Sequence, residues 1–195
     1  MSEIEQALTQ LIEKTEALQI GHFKLTSGLH ASRFFRCIKL LRYSQAAQVI
    51  FEALATRLAA QKTDFVLGAN EAGSILAFEV AKRLNAEVAI ARSSSDANAH
   101  QKSGEYALIE GFSFQPGDRV LVVDDITTTG GTAKQLLKIV RLADAEPVGV
   151  GLVATKGLFN VDLSCPTEVL ITLEGMDAIP PKSCPLCQQG VPLTN

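Results

Sequence analysis

Residues 120–132, with the sequence VLVVDDITTTGGT, constrain the fold of this chain more than any other segment. The first four are apolar and mostly β-branched, which is typical of a strand buried on both faces of a parallel sheet. Asp124 and Asp125 follow at its carboxyl end, the edge where open α/β sheets bind ligands. Beyond the loop, AKQLLKIVRL has apolar residues at helical spacing, which predicts a helix at about 131–143. The segment therefore predicts a strand, a binding loop and a helix.

The composition of that loop indicates a phosphorylated sugar as the ligand. Its two glycines permit positive φ and close approach, so backbone N–H groups can turn toward an anion. The free amides and positive dipole end of the following helix favour a phosphate at the same place. The acid pair, Asp124 and Asp125, suits the two hydroxyls of a vicinal diol. The loop residues expected to hold the phosphate are Thr127, Thr128, Thr129, Gly130, Gly131 and Thr132.

Other phosphate-binding motifs do not fit this segment. No Gly-Lys-Ser/Thr follows the glycines, and no G-x-G-x-x-G stands between a predicted strand and helix, so nucleoside triphosphates and dinucleotides are poor candidates. The acids could alternatively serve only as helix caps. Capping needs one acid, however, and explains neither the threonine run nor the double glycine.

Composition and charge limit the remaining classes. The 195 residues, 47% of them hydrophobic, match one α/β domain with a complete core. The net charge of −3 and scattered charged residues offer no basic face for a nucleic-acid backbone. No apolar run approaches the roughly 18 residues of a membrane span, and the start MSEIEQAL is too acidic for a signal peptide. We expect a cytoplasmic protein without nucleic-acid or membrane partners.

Strand and helix patterns alternate along the chain, which predicts a central parallel sheet flanked by helices. A capping box of Ser2 and Glu5 opens a helix to about residue 18. Ser44 is the expected cap of a helix ending near residue 60. Residues 92–105 hold almost no apolar side chain and read as a mobile loop. The other predicted elements are a strand, turn and strand in 21–35, strands at 65–69, 88–91, 119–124, 147–154 and 168–173, and a helix at 75–84.

Four hydrophobic residues, two acids and a TTGGT-like loop resemble the signature of the type I phosphoribosyltransferases, which bind 5-phosphoribosyl-1-pyrophosphate (PRPP). All thirteen positions of residues 120–132 match in type and order. The resemblance implies that family's α/β fold and a PRPP site at the acid pair and loop. It also implies Mg²⁺ as cofactor, held mainly by the substrate because hard oxygen ligands suit it.

Within that family the chain is similar to the orotate branch. Phe23, Leu25, Ser27 and Gly28 match an F-x-L-x-S-G turn that forms part of a hood over the base. The resemblance implies one domain over residues 1–195, with a hood at about 1–43, a core at about 44–175 and a tail at 176–195. It further implies a homodimer in which the loop at 92–105 reaches toward the neighbour's site. Residues implied to contact the base are Lys24, Phe34, Phe35 and Thr128.

The chain departs from the orotate pattern where the leaving group binds. The basic residue expected beside the Ser-Gly turn is absent, and Lys24 stands two positions before Thr26 on the same strand face. The pyrophosphate loop, usually G-P-A followed by Lys-Gly or Gly-Gly, carries a carboxylate here and predicts weak orotate turnover. Its residues are Asn70, Glu71, Ala72 and Gly73, and the cations expected to meet pyrophosphate are Arg92, His100 and Lys102.

The cysteines and two histidines allow further interpretations. Cys184 and Cys187 form a CxxC pair, whereas Cys37 and Cys165 are isolated. Idle thiols, a redox pair and a zinc site requiring all four cysteines to converge remain open, so Cys184 and Cys187 are zinc candidates. His22 and His30 flank the hood turn, and either a ligand contact or a structural role is open for them.

Three function classes follow from these observations. The hood pattern with its phenylalanine pair favours transfer of phosphoribose from PRPP to orotate. The altered loop at Glu71 and Ala72 and the sparse basic residues of the mobile loop favour a phosphoribosyltransferase for another base, or a non-catalytic protein that binds PRPP or a nucleotide.

Overall fold

The computed structural model describes residues 2–25, 27–93 and 105–194. Short 3₁₀ turns at Ala59–Gln61 and Pro181–Ser183 accompany the regular elements. The helices are α1 (Glu3–Lys14), α2 (Cys37–Leu41), α3 (Gln48–Leu58), α4 (Asn70–Leu84), α5 (Gly131–Leu142) and α6 (Pro185–Gln188). The strands are β1 (Leu18–Lys24), β2 (His30–Phe35), β3 (Phe65–Ala69), β4 (Glu87–Ser93), β5 (Tyr106–Leu108), β6 (Arg119–Thr127), β7 (Glu146–Lys156) and β8 (Thr167–Leu173).

The main sheet has six strands in the order β5-β4-β3-β6-β7-β8. Every neighbouring pair is parallel except β4 and β5, so the predicted parallel sheet is confirmed, with an antiparallel edge strand added. The sequence did not predict β5, because three half-buried residues are too few to show a period.

Helices cover both faces of this sheet, and the apolar run of β6 explains why. Its four residues 120–123 are fully buried. Leu121 and Val123 pack in one apolar cluster with α3 and α4, whereas Val120 and Val122 pack in a second cluster with α5. A strand covered on both faces must be apolar at consecutive positions, as this one is.

The order of the strands places a ligand crevice between β3 and β6. From β3 the chain crosses through α4 to β4 on one side, and from β6 it crosses through α5 to β7 on the other. The carboxyl ends of two strands whose connections leave in opposite directions form the crevice in which α/β sheets bind ligands. Ala69 and Asp124 therefore lie at the expected position of a site.

Three predicted boundaries were wrong. Ser44 does not cap a helix: α2 precedes it, α3 begins at Gln48, and no side chain caps that helix. Helix α4 begins at Asn70 rather than at residue 75, because Gly73 packs closely against Gly68 at the end of β3 and residues 70–73 form the first helical turn. Strand β6 continues through the acid pair to Thr127, since β7 pairs with it that far.

The N-terminal helix and the hairpin are present as predicted, but their common boundary was also wrong: α1 ends at Lys14 rather than near residue 18, where β1 already begins. Ser2 and Glu5 form the capping box, with hydrogen bonds of 2.6 and 3.3 Å. Strands β1 and β2 form an antiparallel hairpin, which we call the hood. The tail, residues 176–194, lies along it: His30 and Ile179 exchange two backbone hydrogen bonds of 2.8 Å, and the Thr194 N–H donates to the His22 carbonyl at 2.7 Å.

Membrane-spanning helices are not found in the described part of the chain, where every helix is too short or too polar to cross a bilayer.

Candidate active site

The loop after β6 is held in shape by its own threonine. The Thr127 hydroxyl is buried and accepts a hydrogen bond from the Gly130 N–H at 2.8 Å. Gly130 has a φ of +71°, a conformation that a side chain would strain, and α5 starts directly after it. The loop therefore presents the amino end of a twelve-residue helix to the crevice, where an anion is favoured.

In the acid pair, Asp124 is buried, Asp125 is half-buried, and one Asp124 oxygen lacks a partner. Asp124 Oδ1 accepts from the Asp125 N–H at 3.0 Å, and Asp125 Oδ1 accepts from the Ile126 N–H at 2.8 Å. Asp124 Oδ2 is buried with no hydrogen-bond partner among the described residues. Because a buried acceptor without a partner is costly, this oxygen is suited to a donor supplied by a ligand.

Burial shifts the proton affinity of both acids. Loss of solvation, together with the charge of Asp125, raises the pKa of Asp124 to about 7. Burial also raises the pKa of Asp125, and the Lys156 ammonium partly offsets that rise. Such shifts concentrate at sites that bind or transform ligands.

The acid pair opens into a cavity of about 410 Å³, which we call the inner cleft. It joins four elements of the site: the ends of β6 and β2 and the starts of α4 and α5. Predicted site residues that line it are Phe34, Phe35, Asn70, Glu71, Ala72, Asp124, Asp125 and Thr132.

A second cavity of about 800 Å³, the hood cleft, lies beside it. Lys24, Leu25 and Ser27 of the hood line one side, and Thr128 and Thr129 of the loop line another. Phe34 lines both cavities and so stands where they meet. The hood, the phosphate loop and the acid pair thus surround adjoining spaces of a size suited to a small ligand.

The start of α4 is anchored to the edge of the sheet by Asn70. The Asn70 side chain donates to the Tyr106 hydroxyl at 3.0 Å and accepts from the Ser93 N–H at 3.4 Å. Ser74 donates its hydroxyl to the Asn70 carbonyl. Glu71, the next residue, is exposed and lines the inner cleft. The amino end of α4 favours a bound anion, whereas the negative charge of Glu71 disfavours one.

Of the cations predicted to meet pyrophosphate, only Arg92 is described. It is exposed on β4, next to Ser93. His100 and Lys102 lie outside the described residues, as does Thr26.

The sequence interpretation missed two cations at the site. The Arg36 guanidinium lies 4.8 Å from the centre of the Phe34 ring and lines the inner cleft. Lys156 ends β7, the neighbour of β6, and lines the hood cleft. Both carried a signal: Arg36 directly follows the phenylalanine pair, and a residue ending a parallel strand beside the acid strand belongs to the same edge.

Comparisons with known proteins agree with this geometry. Residues 39–159 match the family described as the phosphoribosyl transferase domain. The chain therefore belongs to the phosphoribosyltransferase family, and the resemblance seen in residues 120–132 is confirmed.

Within that family, curated sequence relatives are orotate phosphoribosyltransferases. The one from Desulforamulus reducens is 34% identical over 96% of this chain and 93% of that protein. The orotate phosphoribosyltransferase structure from Aeropyrum pernix matches with a TM-score of 0.68 and 24% identity, covering 85% of this chain and 93% of that one. An adenine phosphoribosyltransferase structure from Rhodothermus marinus matches with a TM-score of 0.66 and 22% identity, covering 85% of this chain and 99% of that one. The two structural matches confirm the fold, which is common to enzymes for different bases.

Proposed function

We propose that this protein transfers the phosphoribosyl group of PRPP to orotate, giving orotidine 5′-monophosphate and pyrophosphate. One observation carries the proposal: the inner cleft, which holds the acid pair, adjoins the hood cleft, which holds loop threonines, and Phe34 lines both. The similarity of nearly the whole chain to orotate phosphoribosyltransferases supports orotate as the base.

The inner cleft and the loop between the two clefts suit the sugar phosphate. Loop amides and threonine hydroxyls bind the 5′-phosphate at the start of α5, and the acid pair accepts hydrogen bonds from the ribose hydroxyls. A ribose hydroxyl supplies the donor that Asp124 Oδ2 lacks. The bond from C1 to pyrophosphate breaks with its electron pair leaving on pyrophosphate. A ring nitrogen of orotate then bonds C1, and its N–H proton passes to a pyrophosphate oxygen or to water. Carboxylates beside C1 stabilise the positive charge that develops between these events.

We propose Mg²⁺ as the cofactor, held mainly by PRPP. The donors at the inner cleft fit it, because Asp124, Asp125 and Glu71 offer hard carboxylate oxygens and Asp124 has one without a partner. When bound, the ion supplies positive charge against pyrophosphate. That role also makes the position of Glu71 compatible with an anionic leaving group.

The hood cleft suits an anionic base. We assign base contacts to Lys24, Phe34, Phe35 and Thr128, and add Lys156 as a second cation toward the orotate carboxylate. Aromatic rings provide a flat apolar surface for the base. Glu174 and Asp177 also line this cleft and favour a neutral base instead, so a phosphoribosyltransferase for another base is the second candidate.

Pyrophosphate is assigned to the start of α4 with Arg92, and to His100 and Lys102 from the loop that follows β4. We further propose a homodimer, because the resemblance implies that this loop reaches a neighbour's site. The even spread of charge and the net charge of −3 support a protein without nucleic-acid partners. We also propose a cytoplasmic location without membrane partners.

The PRPP site is tested by a double substitution, Asp125→Asn with Thr128→Ala. Loss of two or more hydrogen bonds that involve charged groups, at about 1.5–3 kcal/mol each, should weaken PRPP binding about 100-fold or more in calorimetry. The matched control is Glu110→Gln with Thr56→Ala, two exposed positions that line neither cleft. Unchanged PRPP affinity in Asp125→Asn with Thr128→Ala would show that PRPP does not bind at the acid pair and loop.

The choice of base and the altered loop are tested by PRPP-dependent pyrophosphate release with a panel of orotate, uracil and adenine. We expect orotate to be preferred and its native turnover to be weak. Ala72→Lys should raise turnover about tenfold, because a cation near 4 Å from pyrophosphate is worth several kcal/mol before desolvation. Ala60→Lys adds the same charge at an exposed position on another element.

The outcomes of that assay separate the two ideas. Preference for adenine or uracil would overturn orotate as the substrate. Strong native turnover with orotate and no gain from Ala72→Lys would overturn only the interpretation of the loop.

A further inference from the structure

Four side chains capable of binding a metal meet where the tail lies on the hood. His22 comes from β1, His30 from β2, and Cys184 and Cys187 from the segment around α6. Their ligand atoms all lie within 4.8 Å of one another. His22, His30 and Cys184 are buried, and Cys187 is exposed. None of the four lines the inner cleft or the hood cleft.

The distances between these atoms match a tetrahedral zinc site. With Zn–S near 2.3 Å and Zn–N near 2.0–2.1 Å, tetrahedral ligand atoms stand about 3.3–3.8 Å apart. His22 Nε2 lies 3.6 Å from Cys184 Sγ and 3.5 Å from Cys187 Sγ, and His30 Nδ1 lies 3.2 Å from Cys187 Sγ. The two ring nitrogens, 2.8 Å apart, need to separate by about 0.5 Å, and His30 Nδ1 and Cys187 Sγ need a smaller separation. The remaining ligand pairs lie within 4.8 Å, so small side-chain movements bring all four atoms to tetrahedral spacing.

Hydrogen bonding alone accounts poorly for this cluster. His22 Nδ1 lies 2.7 Å from the Val191 carbonyl, which can only accept, so Nδ1 carries the ring proton and Nε2 presents a lone pair. That single lone pair faces His30 and both cysteine sulfurs. One lone pair accepts one hydrogen bond well, whereas a central cation satisfies all four ligands together. A metal-binding histidine whose other nitrogen donates to a carbonyl is also the usual supporting arrangement.

We propose that His22, His30, Cys184 and Cys187 bind one Zn²⁺ ion as a closed structural site. Four protein ligands leave no open position for a substrate, so the ion stabilises structure and does not react. This corrects the hypothesis of a four-cysteine site. Cys37 lines the inner cleft, and Cys165 packs against the apolar cluster on the α5 side of the sheet.

The site joins elements that are distant in sequence and fixes both ends of the hood turn. Lys24, Leu25 and Ser27, which line the hood cleft, lie between the two histidine ligands along the chain. The ion therefore holds the turn and the tail together beside the base. Resting on the proposed function, loss of the metal should raise KM for the base more than KM for PRPP.

Metal content tests the site without reference to activity. Protein purified under reducing conditions, without chelator or metal-affinity resin, should contain one zinc per chain by mass spectrometry. Cobalt(II) exchanged into the protein should give thiolate-to-metal charge transfer and tetrahedral bands. Both signals should be lost in Cys187→Ser, an exposed position, and kept in Cys165→Ser.

Thermal melting gives a second readout. Removing zinc should lower the melting temperature of the native protein by about 5–10 °C, and returning it should restore the value. Cys187→Ser should show no response to zinc. Reduced native protein that holds neither zinc nor cobalt, or Cys187→Ser that binds them as well as the native chain, would overturn the proposal. A Cys184–Cys187 disulfide that forms under oxidant and is reduced reversibly, in protein that binds no zinc when reduced, would do so in favour of a redox pair.

The base kinetics are judged separately. If the protein binds zinc but removing the zinc does not change KM for orotate, the metal site is supported and its effect on base binding is excluded. A failure of all phosphoribosyl transfer would bear on the proposed function and not on the metal content.

Discussion

Asp124→Asn is expected to lower kcat/KM about 10²–10³-fold while making the protein more stable at neutral pH. The loss of activity follows because the carboxylate that binds the ribose and stabilises the developing cation is gone. The gain in stability follows because Asp124 is buried with one oxygen unpartnered, so its ionised form is costly in the folded state. Steady-state kinetics and thermal melting of the same variant measure both effects.

The pH dependence of the stability difference has a definite sign. The folded pKa of Asp124, about 7, lies above its ordinary value of 3.8. As pH rises, Asp124 loses its proton near pH 4 in the unfolded chain but only near pH 7 in the folded protein. The stability that the protonated Asp124 contributes is therefore complete below pH 4 and is lost as pH rises to about 7. The free energy involved is on the order of 2–4 kcal/mol. Asn does not titrate, so the advantage of the variant should grow from about pH 4 to pH 7 and then level off.

Glu110→Gln is the control for this experiment, because it removes an exposed carboxylate outside both clefts. It should leave kinetics and melting close to the native values. Native kcat/KM in Asp124→Asn would contradict the role assigned to the Asp124 carboxylate. A stability difference from the native chain that stays constant between pH 4 and pH 8 would contradict the argument from burial.

Gly68→Ala is expected to be the most destabilising small substitution in the site. A Cβ at Gly68 would lie 1.9 Å from the Gly73 carbonyl oxygen and 2.5 Å from its carbon. Both atoms belong to the backbone, so α4 must move away from β3. We expect a loss of about 3 kcal/mol or more, and a melting temperature lower by about 6–12 °C. PRPP affinity should fall as well, since Asn70 and Ala72 move with the helix.

Gly73→Ala is the matched control on the other side of the same contact. A Cβ there would lie 3.4 Å from the nearest atom, the Gly68 carbonyl carbon, which is ordinary contact. Alanine also favours the helix by about 1 kcal/mol, so stability should be equal or higher. Equal melting temperatures for the two variants would show that the close approach of α4 to β3 does not require glycine at position 68.

Sequence alone determined the parts of the site that depend on neighbours in the chain. The apolar run of residues 120–123, the acid pair and the double glycine lie within one short segment, so they predicted a strand, a loop and helix α5, although β6 continues to Thr127. The capping box at Ser2 was predictable for the same reason, because both of its hydrogen bonds span three residues. Family membership also followed from this continuous segment.

Tertiary structure decided the features whose causes lie far apart in the chain. The sequence of residues 68–73, GANEAG, is locally typical of a glycine-containing loop. Its first two residues instead end β3 and the other four begin α4, because Gly73 packs on Gly68 where the strand meets the helix. Lys156 enters the site because sheet order places the end of β7 beside β6, and no local pattern fixes that order.

The proposed zinc site shows the same limit most clearly. The CxxC pair was visible in the sequence, and the other two cysteines were the natural partners by residue type. His22 and Cys184 are instead brought together by the pairing of the tail with the hood, through backbone hydrogen bonds between His30 and Ile179. Local periodicity reports which face of an element is apolar. It carries no information about which distant segment pairs with an edge, so only the folded chain could supply these ligands.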